Sequence, residues 1–151
     1  MANFTCQRIS ASDTWPLRHA VLRTGRPLET CRWDGDDLPG TRHYGLIDGD
    51  DLVAIASLYH RPHEIAPSRH AWQLRGMAVH PTRQREGLGA RLLTDMLGDA
   101  HREANAEIVW CNARTVAVPF YRRYGFQTVA DEFDIPDVGP HFTMVRSLMT
   151  P

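Results

Sequence analysis

Between Leu74 and Leu93 the spacing of the apolar residues changes from that of a strand to that of a helix, and the other elements of the chain are arranged around this point. Up to Val79 apolar and polar residues mix as in a strand, and Pro81 cannot extend a ladder because it has no N–H to donate. From Leu88 onward the apolar residues form one stripe on a helix, namely Leu88, Leu92, Leu93, Met96, Leu97 and Ala100. The pattern therefore predicts a strand over residues 72–79, a short loop and a long helix.

The other segments predict strands and helices in a mixed order. The predicted strands span residues 5–9, 44–47, 52–59, 108–111, 126–130 and 142–148. A first helix, with Ser12 and Asp13 as caps, is expected to end at Gly25, and a short helix is expected over residues 116–124. Polar, turn-rich loops separate these elements at 26–41, 60–69 and 134–141. This order predicts one α/β domain over residues 1–151, with a mixed sheet flanked by helices.

Composition excludes several classes of function. The net charge is −1 without a basic block, so no nucleic-acid partner is expected, and no apolar stretch is long enough for a membrane span. Three cysteines at wide spacing fit neither a disulfide framework nor a zinc motif. Pro62 separates His60 from His63 and no third ligand is evident, so no metal is expected. A reducing cytoplasm is the expected location.

The loop before the long helix has the features of a phosphate site. The first turn of a helix has N–H groups without intrahelical acceptors, and Gly87 and Gly89 let a phosphate approach them. Arg83 and Arg85 add positive charge, while Glu86 is expected to point outward. The P-loop and Rossmann motifs do not match, because Ala90 and Arg91 follow Gly89 and Leu92 stands where a third small residue would be needed.

Two motifs resemble those of the GCN5-related N-acetyltransferases, the GNAT superfamily. Gln84-x-x-Gly87-x-Gly89 resembles the loop that binds the pyrophosphate of acetyl-CoA, and residues 120–126 (FYRRYGF) resemble the second signature, with Tyr121 at its tyrosine. The family usually has Asn seven residues before this tyrosine. Arg114 stands there instead, and Asn112 lies two places earlier.

The chain also resembles the ElaA-like subgroup of this superfamily, at residues 18–23, at 34–38 followed by His43, and at 139–141. The resemblance implies a single-domain GNAT fold, in which a six- or seven-stranded, mostly antiparallel sheet is splayed between the fourth and fifth strands. It also implies acetyl-CoA (coenzyme A) as a co-substrate bound between those strands. The implied activity is acetyl transfer to a primary amine of a small molecule or peptide, by direct attack through a tetrahedral intermediate.

The resemblance also assigns residues to roles. The Met77 N–H would face the thioester oxygen, and Tyr121 would protonate the leaving sulfur. The implied cofactor-binding residues are Met77, Ala78, Val79, Gln84, Arg85, Glu86, Gly87, Leu88, Gly89, Ala90, Asn112, Arg114 and Tyr121. Asp36, Asp37 and His43 are expected to border the acceptor pocket, where carboxylates would suit a cationic amine.

The sequence leaves the general base open. No Glu stands in the 74–79 segment, where many GNAT enzymes have one, and the candidates are Glu64, His43, His80, His141 and the carboxylates of 34–37. This missing Glu favours an alternative, a catalytically silent acyl-CoA-binding or regulatory module with the same fold. A plain α/β interaction domain is a third interpretation, which two signatures in the correct order disfavour. A homodimer remains open.

Overall fold

A computed structural model describes residues 3–149 of the chain. Within them lie eight strands and three α-helices, joined in part by turns of 3-10 helix. The strands are β1 (Phe4–Ile9), β2 (Arg42–Asp48), β3 (Asp51–His60), β4 (Ala71–Val79), β5 (Ile108–Arg114), β6 (Gln127–Thr128), β7 (Phe133–Ile135) and β8 (Gly139–Ser147). The helices are α1 (Trp15–Leu17), α2 (Leu88–Ala104) and α3 (Val118–Arg123). Helix α2 begins at the residue where the apolar period changes, and all six residues of its predicted stripe are buried.

The chain forms two compact units. The first runs up to Tyr59 and includes Leu74–Asp99, and the second contains His60–Gln73 and the described residues from Ala100 onward. In the first unit β1, β2 and β3 pair antiparallel in chain order. The β2–β3 turn contains Gly49 at a φ of 63°, as its Asp-Gly-Asp-Asp sequence predicts. Leu17, Ile55 and Ala78 pack together in the core of this unit.

The first helical segment differs from its prediction. Its cap lies earlier, since Ser10 N–H donates to Asp13 Oδ2 (3.0 Å) and Asp13 N–H donates to Ser10 Oγ (3.2 Å), which is the reciprocal pattern of a capping box. Beyond α1 the chain forms a π turn over Arg18–Leu22 rather than a regular α-helix, and the Arg18 side chain is completely buried. Such turns inside helical segments often accompany functional sites.

In the second unit, β5 pairs antiparallel with β8 over its whole length, and β6 and β7 also pair with β8. The first three residues of β4 pair in parallel with the first three of β5. The bounds of two segments differ from those predicted from the sequence. The strand expected over 126–130 contains only Gln127–Thr128, and the expected loop 134–141 contains part of β7 and the start of β8. A tight turn with Asp137 and Gly139 at positive φ brings these two strands together.

The strand order is β1-β2-β3-β4-β5-β8-β6, with β7 beside β8. The sheet is mostly antiparallel with a parallel pairing at β4–β5, and the predicted mixed, helix-flanked fold is confirmed. The structure describes eight strands, one more than the predicted maximum of seven, because β7 forms largely within a segment that was expected to be a loop. None of the helices within residues 3–149 combines the length and the apolar character needed to cross a membrane.

Candidate active site

Gly76 distorts β4 near its end. Its φ is 70°, a left-handed conformation that residues with a Cβ rarely adopt. A Cβ at this position would lie 2.7 Å from Cζ3 of Trp33, so the indole ring lies directly on the backbone. The sequence analysis did not single out Gly76, although a glycine inside a strand pattern is a signal for a bulge or a close approach.

We expect Gly76→Ala to destabilise the protein by more than the roughly 1–2 kcal/mol that left-handed strain alone costs, because the new methyl group also displaces Trp33. Gly25→Ala is the matched control, since Gly25 has a φ of 76° and nothing within 4 Å of its Cβ position. Urea denaturation of both variants measures the difference. Equal losses of unfolding free energy would show that the Trp33 contact contributes nothing.

The end of β4 holds the residues expected to meet the cofactor arm. Met77 and Val79 are half-buried there, and Ala78 is buried between them. Beyond the strand, His80 N–H donates to the Val53 carbonyl at 2.8 Å. The side-chain amide of Gln84 donates to the Val79 carbonyl at 3.2 Å. The predicted pyrophosphate loop is therefore attached directly to the end of β4.

The loop itself is shaped by two left-handed residues, Arg85 at a φ of 68° and Gly87 at 77°. No atom lies within 4 Å of the Cβ position of Gly87, so its backbone is open to approach. The Gly87 carbonyl accepts the N–H of Arg91 at 3.1 Å, which places the amides of residues 88–90 in the first turn of α2. These amides have no intrahelical acceptor, and with the helix dipole they favour an anion.

Charges around this loop are distributed unevenly. Arg83 donates to Asp48 at 3.0 Å and to both oxygens of Glu86 at 3.1 and 3.2 Å, so two carboxylates surround its positive charge. Glu86 is thus held by Arg83 beside the loop. Arg85 is exposed and has no ion-pair or hydrogen-bond partner among residues 3–149. Arg85 and the helix amides are therefore the groups best able to attract a phosphate.

Tyr121 lies on α3 in the second unit. Its carbonyl accepts the N–H of Phe126 at 3.1 Å, and its ring packs edge-on against Phe126 at 5.4 Å between ring centroids. The hydroxyl has no hydrogen-bond partner among the described residues. Burial raises the pKa of Tyr121, and negative charge at Cys111 would raise it further. The hydroxyl therefore stays protonated at neutral pH and is available as a donor.

The other two cofactor residues predicted for this unit lie on β5. Asn112 and Arg114 are both exposed. Asn112 Oδ1 accepts from the Thr143 hydroxyl at 2.9 Å, which fixes the orientation of the amide. Its NH2 group has no acceptor within residues 3–149. Arg114 is the last residue of β5 and pairs in register with His141 of β8.

Asp36 lies in a buried polar cluster of the first unit. Arg18 donates to it twice, Nη1 to Oδ2 at 2.7 Å and Nη2 to Oδ1 at 3.2 Å, and the Tyr59 hydroxyl donates to Oδ1 at 2.5 Å. Desolvation acts to raise the pKa of Asp36, but the hydrogen bonds from Arg18, Tyr59 and the Trp33 N–H, with the charge of Arg18, outweigh it and lower the pKa. This carboxylate is therefore ionised and already satisfied by the protein.

His43 belongs to the same cluster. Its Nε2 lies 2.9 Å from the Asp36 carbonyl, which can only accept, so Nε2 is the donor. Its Nδ1 lies 2.7 Å from the Ser57 hydroxyl, and Ser57 also accepts from Arg18 Nη2 at 3.1 Å. Asp36 and His43 are thus brought together inside the first unit. Asp37, predicted beside them, is exposed and has no such partner among the described residues.

Comparison with known proteins identifies the family. The model of the acetyltransferase (GNAT) family matches residues 8–126, which contain β4, the loop before α2 and the Tyr121 motif. The chain belongs to the GNAT acetyltransferase family. The membership predicted from the two motifs is confirmed, and the protein is an acyltransferase by family.

The relatives of this GNAT protein cover almost its whole length. It is 31% identical over 144 residues to the uncharacterized N-acetyltransferase YitI of Bacillus subtilis (strain 168), across 94% of this chain and 95% of YitI. Escherichia coli ElaA shares the fold with a TM-score of 0.72 at 24% identity, across 97% of this chain and 99% of ElaA. An aminoglycoside 6'-N-acetyltransferase complexed with coenzyme A shares the fold with a TM-score of 0.76 at 12% identity, across 97% of this chain and 98% of that enzyme.

Most candidate bases of this GNAT protein already have protein partners. His80 Nδ1 accepts from the Thr82 N–H at 3.2 Å, and His141 is buried with Nδ1 2.7 Å from the Gly139 carbonyl. Glu64 and Asp37 are exposed and make no hydrogen bond or ion pair within residues 3–149. In the same described part of the chain, no group of three or more potential ligands is arranged to hold a metal ion.

Proposed function

We propose that this GNAT protein is an acetyl-CoA-dependent N-acetyltransferase that acetylates a primary amine of a small molecule or peptide. The observation that carries the proposal is the loop between β4 and α2. Two left-handed residues there leave the backbone open, and the amides of the first turn of α2 follow directly. An anionic pyrophosphate is the ligand that such a helix start favours.

The proposed reaction is a direct transfer. The amine nitrogen attacks the thioester carbonyl, a tetrahedral intermediate forms, and the carbon–sulfur bond breaks. The nitrogen loses a proton and the leaving thiolate gains one. By the family resemblance, the Met77 N–H donates to the developing oxyanion, which is where a positioned donor contributes most, and the Tyr121 hydroxyl donates the proton to sulfur.

Tyr121 has the protonation state that this role needs. Its raised pKa keeps the hydroxyl neutral until a strong base appears. Apolar surroundings also make a thiolate more basic, as Cys111 of the same unit illustrates, since burial raises its pKa to about 12. A coenzyme A thiolate released into comparable surroundings would likewise be more basic than in water, which favours its protonation.

The proposal is tested by the release of coenzyme A thiol from acetyl-CoA, with and without a panel of primary amines. Amine-dependent thiol release with matching acetylated product supports the enzyme. Acetyl-CoA binding without transfer to any amine supports the second candidate, a silent acyl-CoA-binding module, which the absence of Glu from residues 74–79 favours. We also propose a reducing compartment such as the cytoplasm, because Cys6, Cys31 and Cys111 are all free thiols.

Gly87→Val should weaken acetyl-CoA binding by more than tenfold, a loss above about 1.4 kcal/mol. The branched side chain would occupy the open space at the loop, and the left-handed φ would be strained. Isothermal titration calorimetry measures the affinity. Gly49→Val is the control, because Gly49 has a φ of 63° and open space but lies in the β2–β3 turn. An unchanged affinity in folded Gly87→Val would exclude the loop as the pyrophosphate site.

A further inference from the structure

His141 is a buried histidine with one ring nitrogen that has no partner. It lies on β8, two residues after Gly139, and is 4% exposed. Its Nδ1 lies 2.7 Å from the Gly139 carbonyl, which can only accept, so Nδ1 carries the hydrogen. In the neutral ring Nε2 therefore has the free lone pair. No group within residues 3–149 donates a hydrogen bond to this Nε2.

The other two imidazoles among the candidate bases are already engaged. His43 is buried like His141, but its Nε2 donates to the Asp36 carbonyl and its Nδ1 faces the Ser57 hydroxyl. The lone pair of His80 accepts the N–H of Thr82. Of these three candidate rings, only His141 keeps a lone pair without a hydrogen-bond donor among the described residues.

The surroundings of His141 include an accessible face of the second unit. Its register partners are Arg114 on β5 and Phe133 on β7, and Asn112 pairs with Thr143 one step further along the same face. Directly opposite residues of an antiparallel pair have Cβ atoms about 4.5–5.5 Å apart. Arg114 and Asn112 are both exposed, so a ligand can approach this face beside His141.

This face lies close to the proposed acid of the reaction. In the described part of the chain, β5 pairs with β4 only over Ile108–Trp110, whereas it pairs with β8 as far as Arg114. Cys111, the first residue beyond the β4 pairing, acts electrostatically on Tyr121. Arg114, opposite His141, is three residues further, or roughly 10 Å along the strand. Tyr121 and His141 thus lie near the same short segment of β5.

We infer that His141 is the general base of the transfer and that its Nε2 contacts the nitrogen of the acceptor amine. The inference rests on the proposed function. As the nitrogen attacks the thioester carbon, an N–C bond forms and an N–H bond breaks. The proton passes to Nε2, and the electron pair of the broken bond stays on nitrogen. The imidazolium later gives this proton to solvent, while the Tyr121 hydroxyl protonates the sulfur.

The local chemistry suits this role. A catalytic base is commonly oriented by a third group, and here the Gly139 carbonyl holds the Nδ1–H side of the ring. Among the same-face neighbours Arg114, Asn112, Phe133 and Thr143, none is a carboxylate that would compete for the proton. The one charged neighbour, Arg114, disfavours an ammonium ion and so favours the free amine that attacks. A base on β8 is also consistent with the absence of Glu from residues 74–79.

His141→Asn tests the inference. The asparagine NH2 group can still donate to the Gly139 carbonyl in place of Nδ1, but no lone pair remains at the position of Nε2. The acceptor is the primary amine of the panel that gives the parent its highest kcat/KM. We expect the single-turnover rate to fall about 10²–10⁴-fold at neutral pH, the usual contribution of a general base. The affinity for acetyl-CoA should be nearly unchanged.

The pH dependence distinguishes a base from a structural residue. A protonated imidazole has no lone pair, so the ratio of the parent rate to the His141→Asn rate should shrink as the pH is lowered. A purely structural loss would reduce the rate by the same factor at every pH, which would overturn the inference. Arg114, the charged neighbour, keeps its charge throughout and does not contribute to this change.

His101→Asn is the matched control. The Nδ1 of His101 also lies 2.7 Å from a backbone carbonyl, that of Ala106, but His101 is exposed near the end of α2, so its variant should match the parent. A folded His141→Asn protein whose single-turnover rate stays within about threefold of the parent would overturn the inference and leave the proposed function intact.

A measurement on the parent covers the case in which His141→Asn does not fold. Long-range 1H–15N NMR reports which ring nitrogen carries the hydrogen. An Nδ1–H tautomer at His141 supports the inference, and an Nε2–H tautomer overturns it, because the lone pair would then face the backbone. Failure of the parent to acetylate any amine in the panel would instead count against the proposed function.

Discussion

Replacing Tyr121 with phenylalanine should slow the acetyl-transfer step by about 10²–10⁴-fold, the usual cost of losing a positioned proton donor. The substitution removes only the hydroxyl, which has no hydrogen-bond partner among residues 3–149. The ring contacts with Phe120 and Phe126 remain possible, so folding and acetyl-CoA affinity should change little. The fall should appear in kcat more than in KM, because the proton moves only on the way to products.

Single-turnover measurement is the appropriate assay for this variant, since slow product release can hide the chemical step in the steady state. Tyr124→Phe is the matched control. Tyr124 lies at the end of the same helix and packs on Phe120 at 5.1 Å between ring centroids, but it stands outside the position of the family tyrosine. A single-turnover rate of Tyr121→Phe within about threefold of the parent, roughly 0.6 kcal/mol, would show that solvent protonates the thiolate.

Asp36→Asn should lower the free energy of unfolding by about 3–5 kcal/mol, the range measured when one partner of a buried ion pair is removed. The guanidinium of Arg18 would remain completely buried without its carboxylate. Chemical denaturation measures the loss. The stability effect also means that a change of KM in this variant cannot by itself assign Asp36 to the acceptor pocket.

Asp37→Asn is the control for Asp36→Asn, because it removes the same charge from an exposed neighbour. A change within about 0.5 kcal/mol is expected for such a surface substitution. Since Asp37 is accessible, its variant also tests the predicted acceptor role without loss of the fold. Equal stability of the two variants would show that the buried pair contributes no more than a surface charge.

The pH dependence of stability should report the same ion pair. The pKa of Asp36 is lowered in the folded protein, so its contribution to stability is complete above the unfolded value of about 3.9. That contribution is lost as the pH falls through the folded pKa, when the carboxylate must be protonated. The parent should therefore lose stability in this acidic range more steeply than Asp36→Asn, which lacks the group. Parallel pH profiles would contradict the assignment.

The parts of the site that lie close together in sequence were predicted from the sequence itself. The loop from Gln84 to Gly89 could be recognised because strand pattern, glycines and helical stripe follow one another within a few residues. The same holds for Tyr121, whose motif and helix occupy one short segment. Local backbone preferences and apolar periodicity act over one or two turns, so they are visible in a single sequence. The exact ends of elements were less predictable: β7 formed in a segment rich in turn residues because β8 supplied a partner strand.

The partners of distant residues were decided only by the tertiary structure. The acidic sequence at 34–37 favours a cationic ligand, yet Arg18 lies 18 residues before Asp36 and Tyr59 lies 23 residues after it, and both engage its carboxylate. The need for a glycine at position 76 likewise depends on a distant residue, because Trp33 of a separate loop occupies the space that a side chain would need. Which side chain neutralises a charge, and which covers a glycine, depends on strand register and loop path across tens of residues. The sequence therefore determined the family and predicted a pyrophosphate site at the loop before α2, whereas long-range packing decided that the carboxylate of Asp36 is engaged inside the first unit.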